Sequence, residues 1–429
     1  MAGLLVISAH LVKKGFRLYF IAGSVFKTSV EKTGAEFVEN PFCAQDDVFA
    51  PPPRVDHLWH MLHIFADSTP MAHLALKETL ERVRREHPDR EVVIIHESIS
   101  HAAQPFLHGA PLPRGYSSLP KIINFHCSIY CPKDYSLPPF GPGLPYDPTP
   151  ANLAIWKSIY DATDVTRARL NEHFNKIYKT LGTTRPVTGG FFDRILECGD
   201  VTVLATTPSL EYPPQSLHSK VRFIGGLPTK PLDPAFGYPP WWPIITANAV
   251  LSSDAVDKKK VIFVTQGTGH IEYTALIIPT INALANRTDV IVLATLGARG
   301  AKLPSTLLVP ENTIVVDYFP YDAILPFVDV FVSNGGYGGV MHGIMNGVPM
   351  VLAGTETDKA EVCSRAEWAG VAVNLRAREP GEEAISRGVD QVLEEERFRK
   401  RVVELKEENE EMDSLQKIED LIWELLGSE

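Results

Sequence analysis

A glycine-rich turn late in the sequence has the residue types of an anion-binding site. The run Asn334-Gly335-Gly336-Tyr337-Gly338-Gly339 follows an apolar strand that ends at Ser333, and a helix is predicted to begin near Val340. Glycines let the backbone come close to an anion, and a helix N-terminus offers free N–H groups and the positive end of its dipole. We expect this strand–turn–helix unit to hold a phosphate or diphosphate group. The alternative is a tight turn that needs only a flexible backbone.

The turn differs from two familiar phosphate-binding patterns. It is neither the GxGxxG of dinucleotide-binding proteins nor the GxxxxGK[ST] of the phosphate loop, and it lies far from the first strand. These differences disfavour an NAD-dependent oxidoreductase. The sequence contains no Asp-x-Asp pair, the arrangement that bridges a diphosphate through a metal ion. We therefore predict that backbone amides carry the diphosphate charge and that no metal site is present.

Composition restricts the class of protein and its partners. A chain of 429 residues suits two domains better than one core. Its 41 Lys and Arg against 52 Asp and Glu give a net charge of −11, which disfavours a nucleic-acid partner. Five scattered cysteines without a CxxC pair indicate a reducing cytosol. No apolar run is long enough for a transmembrane segment, and Lys13-Lys14 follows the apolar start instead of preceding it, unlike a signal peptide.

Helix and strand patterns alternate along the chain, which indicates an α/β fold. Residues 4–13 have helical spacing, and Phe16 to Ala22 is a strand pattern rich in aromatic and branched residues. Residues 71–86 are predicted to be helical. The apolar run Glu91–Ile95 is typical of a buried parallel strand.

Changes in composition suggest where domains begin and end. We predict an N-terminal α/β domain over 1–225, a proline-rich linker over 226–258 and a C-terminal domain over 259–412. A helix over 413–429 ends the chain. The Pro-, Gly- and Tyr-rich segment 110–150 is expected to be irregular and to line a cleft.

The glycine-rich turn and its flanks resemble the donor-binding signature of the UDP-glycosyltransferases, glycosyltransferase family 1. The family pattern HGGxGSxxEAxxxGVPxxxxPxxxDQxxNA corresponds here to NGGYGGVMHGIMNGVPMVLAGTETDKAEVC (334–363). The similarity continues in the expected order through four other segments: HLVKKGFRLYFIAGSVF (10–26), PPFGPGLP (138–145), VIFVTQGT (261–268) and VVDYFPYDAILPFVDVFVS (315–333).

This resemblance implies a GT-B fold, in which two Rossmann-like domains face each other across a cleft. The N-terminal domain would bind the acceptor, the C-terminal domain the nucleotide-sugar, and the helix over 413–429 would return to the N-terminal domain. The implied reaction moves a hexose from a UDP-sugar to a hydroxyl of a small lipophilic acceptor, with inversion and without a metal. The partners are then the nucleotide-sugar donor and a small-molecule acceptor. No cofactor is implied, because the UDP-sugar is a co-substrate.

The family's donor-binding residues can be carried onto matching positions. Tyr318 would stack on the base, and Phe319 would pair with the base through its backbone. Gly267 and Thr268 would face the diphosphate, and Asp358 would bond to sugar hydroxyls. The backbone contacts to phosphate would come from Gly336, Gly338 and Gly339, next to Gly335.

Four positions depart from the family pattern. Asn334 replaces a phosphate-contacting His, so a neutral hydrogen bond would replace a charge-assisted one. Gly339 replaces a Ser or Thr, His342 replaces a Glu that binds ribose, and Lys359 replaces a Gln beside the sugar-binding acid. Lys359 could meet a phosphate or a sugar hydroxyl. The departures leave the base and the sugar open, and an NGGYGG-type subgroup is the most similar.

Inverting sugar transfer needs a base for the acceptor's proton, and its source is open in this sequence. The family usually carries a His in the loop between the first strand and first helix, whereas this chain begins inside a helix that resembles the first one. We therefore expect the first strand and its loop to be missing, which would leave Phe16 to Ala22 without a neighbour on one side. Glu97 resembles the acid that orients the His, or it is a polar residue at a strand end. His96 and His10 are alternative bases.

Other constellations have simpler interpretations. His57, His60 and His63 are spread too widely on a helix to meet one metal ion easily, so a helix side lining the acceptor cleft is preferred. Trp241-Trp242 are expected to pack between domains instead of stacking on sugar. Two alternative functions stay open: a catalytically impaired GT-B protein that binds nucleotide-sugars, and a sugar-nucleotide epimerase.

Overall fold

The computed structural model of the protein describes residues 2–41, 57–229, 236–267 and 272–427. Its strands form parallel sheets with helices between them, as the alternating sequence pattern predicted. Within the described ranges, no helix combines the length and the apolar character that crossing a membrane requires.

The C-terminal half contains one six-stranded parallel sheet in the order β12-β11-β10-β7-β8-β9. Its strands are short apolar runs, and β8 is buried at every position because helices cover both faces of the sheet. The strands are β7 (Lys260–Thr265), β8 (Val290–Thr295), β9 (Thr313–Val316), β10 (Val330–Ser333), β11 (Met350–Leu352) and β12 (Ala372–Asn374).

The N-terminal half contains two separate parallel sheets. One pairs β1 (Tyr19–Ala22) with β2 (Glu36–Glu39), and the other has the order β3-β4-β5-β6. The second sheet is made of β3 (Val93–Glu97), β4 (Lys121–His126), β5 (Val201–Leu204) and β6 (Val221–Phe223). Among the described strands β1 pairs only with β2, which agrees with the prediction that Phe16 to Ala22 lacks a neighbour on one side.

Helices cover the sheets of both halves. In the N-terminal half these are α1 (Ala2–Lys13), α2 (Lys27–Glu31), α3 (His57–Glu86), α4 (Gln104–Leu107), α5 (Pro150–Thr180) and α6 (Phe191–Glu197). In the C-terminal half they are α7 (Trp242–Ala249), α8 (Ile277–Ala283), α9 (Tyr321–Ile324), α10 (Tyr337–Met345), α11 (Lys359–Trp368), α12 (Glu382–Glu394), α13 (Glu396–Glu411) and α14 (Ser414–Leu426).

The last helix, α14, packs against the N-terminal half of the molecule. Ile418 and Ile422 are buried in one apolar cluster with Ile7 of α1 and Phe125 of β4. The apolar face of α14 therefore belongs to the core under the β3–β6 sheet. The domain boundaries themselves stay predictions.

Several elements differ from the sequence predictions. The segment 110–150, predicted to be irregular, contains the strand β4, whose apolar residues are buried in the N-terminal sheet. The strand predicted over Glu91–Ile95 lies two residues later, at Val93–Glu97. The helix predicted over 71–86 is the end of α3, which begins at residue 57, and the turn of α10 begins at Tyr337, three residues before the expected Val340. The spacing of apolar residues does not reveal where either helix starts, because the first turns of these helices contain polar or glycine residues that do not continue the apolar pattern. The segment predicted as a linker contains α7, in which Trp242 packs against Phe327 at 5.3 Å between ring centroids.

Candidate active site

The glycine-rich turn lies where β10 meets α10. Gly335 has φ +70°, and a Cβ at that position would collide with the Cys363 sulfur, so this residue must be glycine. A Cβ on Gly338 would meet no atom within 4 Å, and one on Gly339 would meet only the Ser333 hydroxyl at 3.5 Å. Among the described residues, the N–H groups of Gly338 and Gly339 have no acceptor, and Gly338 is exposed, so the first turn of α10 offers amides of the kind that an anion requires.

The turn also touches the N-terminal half of the protein. The Tyr337 hydroxyl lies 3.4 Å from the backbone oxygen of Ala205, directly after β5. Burial raises the pKa of Tyr337 well above its usual range, so the phenol stays protonated and can donate this bond. The glycine-rich turn thus lies at the boundary between the two halves.

The end of β7 lies beside the turn and fixes it. Asn334 Nδ2 donates a 2.6 Å hydrogen bond to the backbone oxygen of Gln266. Gly267 follows with φ +75° and contacts the Thr265 hydroxyl through its N–H at 3.2 Å. Asn334 is therefore occupied in holding two strand ends together in this conformation, and its role at the phosphate stays a prediction. Thr268 lies outside the described residues.

Asp358 stands at the start of α11 and faces the N-terminal half. Its Oδ2 accepts a 3.1 Å hydrogen bond from the Ser128 hydroxyl, in the loop after β4. Thr357, just before it, has φ +56°, and its hydroxyl lies 3.4 Å from Lys359 Nζ. The carboxylate predicted to hold the sugar is thus located where the two halves meet, on the same edge of the sheet as the glycine turn.

Tyr318 and Phe319 point in different directions. The Tyr318 side chain is 39% exposed, and the Arg299 guanidinium lies 4.8 Å from its ring centroid. Phe319 is buried, with its ring centroid 4.9 Å from that of Trp241 and 5.5 Å from that of Trp242. The exposed ring can stack on a base, whereas the buried ring packs with the two tryptophans. Trp241-Trp242 were expected to pack between the domains, but their ring contacts with Phe319 and Phe327 lie within the C-terminal half.

His342 lies on α10, a turn beyond the glycines. Its Nδ1 is 2.8 Å from Asp322 Oδ1, and because a carboxylate only accepts, Nδ1 carries the proton. The side chain is 39% exposed, so its other nitrogen remains available at the surface. His342 can still contact a ribose hydroxyl through Nε2. That contact would use a neutral ring nitrogen, whereas the Glu of the family pattern offers a carboxylate.

Glu97 is the last residue of β3 in the N-terminal half. Ile99 N–H donates to its Oε2 at 3.1 Å, and the Ser98 hydroxyl lies 3.3 Å from Oε1. Burial is the dominant effect on the carboxyl and raises its pKa to about 7. A carboxyl with this pKa can accept or release a proton near neutral pH.

A hydrogen-bond chain continues from Glu97 to His126. Ser98 Oγ lies 2.7 Å from His126 Nδ1, and His126 Nε2 lies 2.9 Å from the backbone oxygen of Ile129. The backbone oxygen only accepts, so Nε2 carries the proton and Nδ1 accepts from Ser98. Burial lowers the pKa of His126 and keeps it neutral. Because the Ser98 hydroxyl hydrogen goes to His126, the Ser98 oxygen accepts a hydrogen bond from the protonated carboxyl of Glu97.

The structure does not bring His96 or His10 to Glu97. Because neighbours on a strand point to opposite faces, His96 is directed away, with Nδ1 3.1 Å from the Ser100 backbone oxygen and Nε2 3.7 Å from the Cys198 sulfur. Burial lowers the pKa of His96 to about 4. His10 pairs with Glu419 of α14 at 3.4 Å. Both ring nitrogens of His96 are engaged, which argues against His96 as the base.

The segment 110–150, which was predicted to line a cleft, is attached to α11 by hydrogen bonds. Glu361 Oε1 accepts from the backbone N–H of Gly141 at 2.9 Å and of Gly143 at 2.7 Å. Ser364 Oγ donates to the Gly143 oxygen at 2.7 Å. Sequence reasoning missed these contacts, and it missed Ser128, because they join residues more than 200 positions apart and no local pattern marks them.

Two halves built on parallel sheets, with a glycine-rich turn and the Asp358 carboxylate at their boundary, agree with the GT-B architecture that the sequence predicted. Comparison with known proteins agrees. The family described as "Erythromycin biosynthesis protein CIII-like, C-terminal domain" matches residues 280–424. UDP-glucosyltransferase 1 of Beauveria bassiana (strain ARSEF 2860) is 37% identical over 430 residues, which cover 97% of this chain and 90% of that protein.

Two further similarities extend over the same length. UDP-glucosyltransferase B1 of Starmerella bombicola is 32% identical, with 97% of this chain and 93% of that protein covered. The crystal structure of the glycosyltransferase of kitacinnamycin superposes with a TM-score of 0.69 at 16% identity, covering 98% of this chain and 94% of that one. The chain belongs to the UDP-glycosyltransferases of glycosyltransferase family 1, and it is an enzyme that transfers sugar from a UDP-sugar. The predicted family and GT-B fold are confirmed.

Proposed function

We propose that the protein transfers a hexose, with inversion and without a metal ion, from a UDP-sugar to a hydroxyl of a small lipophilic acceptor. The observation that carries this proposal is the open first turn of α10, which faces the boundary with the N-terminal half. Several amides there can bind one diphosphate, and their positive dipole end stabilises the charge that develops as UDP departs. Amides that do this leave no need for a bridging cation.

The acceptor side supplies a group that handles the proton. Glu97, with its pKa raised to about 7, takes the proton that the acceptor hydroxyl releases. Alternatively, Glu97 orients another base, which takes the proton. The hydroxyl oxygen attacks the anomeric carbon from the face opposite to UDP, and one displacement inverts the configuration. Asp358 holds sugar hydroxyls beside Ser128, so that the sugar lies between the two halves.

Three donor residues complete the proposal. Tyr318 stacks on the base through its exposed ring, Gly267 lines the diphosphate side, and Lys359 stands next to the sugar acid. Uracil and glucose are the proposed base and sugar, because the relatives described above are UDP-glucosyltransferases. A cytosolic location stays a prediction from the cysteine pattern.

The test is a UDP-release assay with UDP-glucose and a panel of phenols and alcohols, run with and without a strong chelator. We expect UDP release that requires an acceptor, an inverted glycoside as the product and no loss of activity with the chelator. Tight UDP-sugar binding without turnover would favour the catalytically impaired alternative. Conversion of the donor in the absence of any acceptor would favour an epimerase.

A further inference from the structure

A buried guanidinium in the N-terminal half makes no ion pair with any residue that the structure describes. Arg194 of α6 is only 8% exposed. Its Nη1 donates to Asn171 Oδ1 at 2.5 Å, but its Nε and Nη2 are buried without a hydrogen-bond partner among the described residues. Burial lowers the pKa of Arg194 to about 10, and this effect is larger than the opposing attraction of the Asp193 carboxylate. A buried donor without a partner is costly, and a cation more so.

More unpartnered polar atoms lie in the same place. Within the part of the chain that the structure describes, Gln104 Nε2 and His101 Nε2 are buried without a partner that meets hydrogen-bond geometry, although the two side chains adjoin each other. Both residues are at least 98% buried. The Tyr178 hydroxyl donates to Gln104 Oε1 at 3.0 Å and lies 3.4 Å from His101 Nδ1. Because that hydroxyl proton goes to Gln104, His101 Nδ1 is a donor and its Nε2 is a bare acceptor. The positive charge of Arg194 contributes to lowering the pKa of His101, after the larger effect of burial.

Aromatic rings surround these polar atoms. The Arg194 guanidinium lies 4.8 Å from the ring centroid of Phe174 and 5.7 Å from that of Phe191. The His101 ring lies 5.0 Å and 5.6 Å from the same two rings, so both polar groups share one aromatic environment. Phe65 and Phe192 are only partly buried and form the outward side of this cluster. An apolar ligand body could lie on these rings once the outer ones move.

We propose that Arg194 and Gln104 form a subsite for the carboxylate of an acceptor with an apolar body. Nε and Nη2 lie on one edge of the guanidinium, which is the edge that binds a carboxylate through two parallel hydrogen bonds. Gln104 Nε2 supplies a third donor. This inference rests on the proposed function and narrows its acceptor to lipophilic hydroxy acids.

The subsite lies near the strand that ends at Glu97. Cys198 directly follows α6, the helix that carries Arg194, and its sulfur lies 3.7 Å from His96 Nε2 on β3. The reacting hydroxyl then belongs at the opposite end of the acceptor from its acid group.

The test measures binding without any sugar donor. The probes are phenylalkanoates of increasing chain length and their uncharged primary amides, followed by calorimetry or tryptophan fluorescence. For at least one chain length we expect the acid to bind the wild-type protein about 10-fold to 100-fold more tightly than its amide, as buried charge-assisted hydrogen bonds imply. Arg194→Met should abolish that difference, and Gln104→Met should reduce it.

Stability separates this role from a structural one. Arg194→Met removes a buried charge without breaking an ion pair between described residues. The melting temperature of this variant should therefore equal or exceed that of the wild-type protein. Arg185→Met is the matched control, since Arg185 is exposed and donates to the Leu107 backbone oxygen nearby; it should keep the acid preference. If Arg194→Met does not fold, Arg194→Lys is the substitute variant. Lysine keeps the charge but lacks the Nε and Nη2 pair that binds a carboxylate through two hydrogen bonds, so the preference for the acid over the amide should weaken.

Two results would overturn the subsite. One is equal binding of acids and amides to the wild-type protein at every chain length, and the other is an acid preference that persists in the folded Arg194 variant. Neither result bears on sugar transfer, because the probes lack a hydroxyl and no UDP-sugar is present. Failure of the proposed function would show instead as no UDP release with any acceptor.

Discussion

Arg365 of α11 donates a 2.7 Å hydrogen bond from Nε to Glu211 Oε2, and this ion pair joins the C-terminal half to the loop after β5. Both side chains are 2% exposed. The guanidinium also lies 3.2 Å from Glu361 Oε2 and donates to the backbone oxygen of Tyr130 at 3.1 Å. Arg365 therefore joins α11 to two loops of the N-terminal half. One follows β4 and contains Tyr130, and the other follows β5 and contains Glu211.

Replacing Arg365 with Met should destabilise the protein strongly. Glu211 and Glu361 would be left as buried carboxylates without a cation, and breaking a buried pair in this way costs about 3–5 kcal/mol. Urea unfolding measures the loss in the free energy of unfolding. Arg387→Met is the control, because its pair with Glu383 is exposed on both sides and should contribute under about 1 kcal/mol. Equal effects of the two variants would contradict the interpretation of Arg365 as an interdomain tie.

Asp358→Asn should separate sugar binding from nucleotide binding. The variant loses the charge that holds sugar hydroxyls, so kcat/KM for the UDP-sugar should fall about 10-fold to 100-fold, equivalent to roughly 1.5–3 kcal/mol. The affinity for UDP, which lacks the sugar, should not change. Calorimetry with UDP and a UDP-release assay give the two numbers. A parallel loss of UDP affinity would place Asp358 at the diphosphate, or in the fold, instead of at the sugar.

Local patterns in the sequence were sufficient to locate the glycine-rich turn and the strand and helix on either side of it. The glycine run after an apolar strand predicts an anion-binding turn, because the chemistry needs only backbone amides and a helix start. The structure places Gly338 and Gly339 in that first turn with open space in front of them. The pattern was less informative about the helix start, which lies at Tyr337.

Contacts between distant parts of the chain could not be predicted. Ser128 and Asp358 are 230 positions apart, and neither side chain has a neighbour in sequence that marks the pairing. His96 shows the opposite failure: its position beside Glu97 in sequence suggested a shared site, but alternation along β3 directs the two side chains to opposite faces. Only the sheet and its packing decide such questions.

Gly338→Ala should weaken donor binding without destabilising the fold. The added methyl meets no protein atom within 4 Å, and alanine favours a helix over glycine by up to about 1 kcal/mol, so stability should be unchanged or higher. The methyl would occupy the space proposed for the diphosphate and should raise the Kd for UDP. Gly381→Ala, at the N-cap of α12 with similarly open space, is the matched control and should bind UDP normally. Normal UDP binding by Gly338→Ala would remove the main support for the donor site.

The pH dependence of transfer should follow the Glu97 carboxyl. Its pKa is raised to about 7 by burial, and the proposed role requires the carboxylate, so kcat/KM should rise with pH and reach half of its maximum near pH 7. One pH unit lower, only about a tenth of the molecules carry the active form. Glu97→Gln should lower the rate about 10²–10⁴-fold and flatten the profile, because no titrating carboxyl remains. Glu91→Gln, an exposed position just before β3, is the control and should keep the wild-type profile. An unchanged profile in Glu97→Gln would mean that another group takes the acceptor's proton, even if the rate falls.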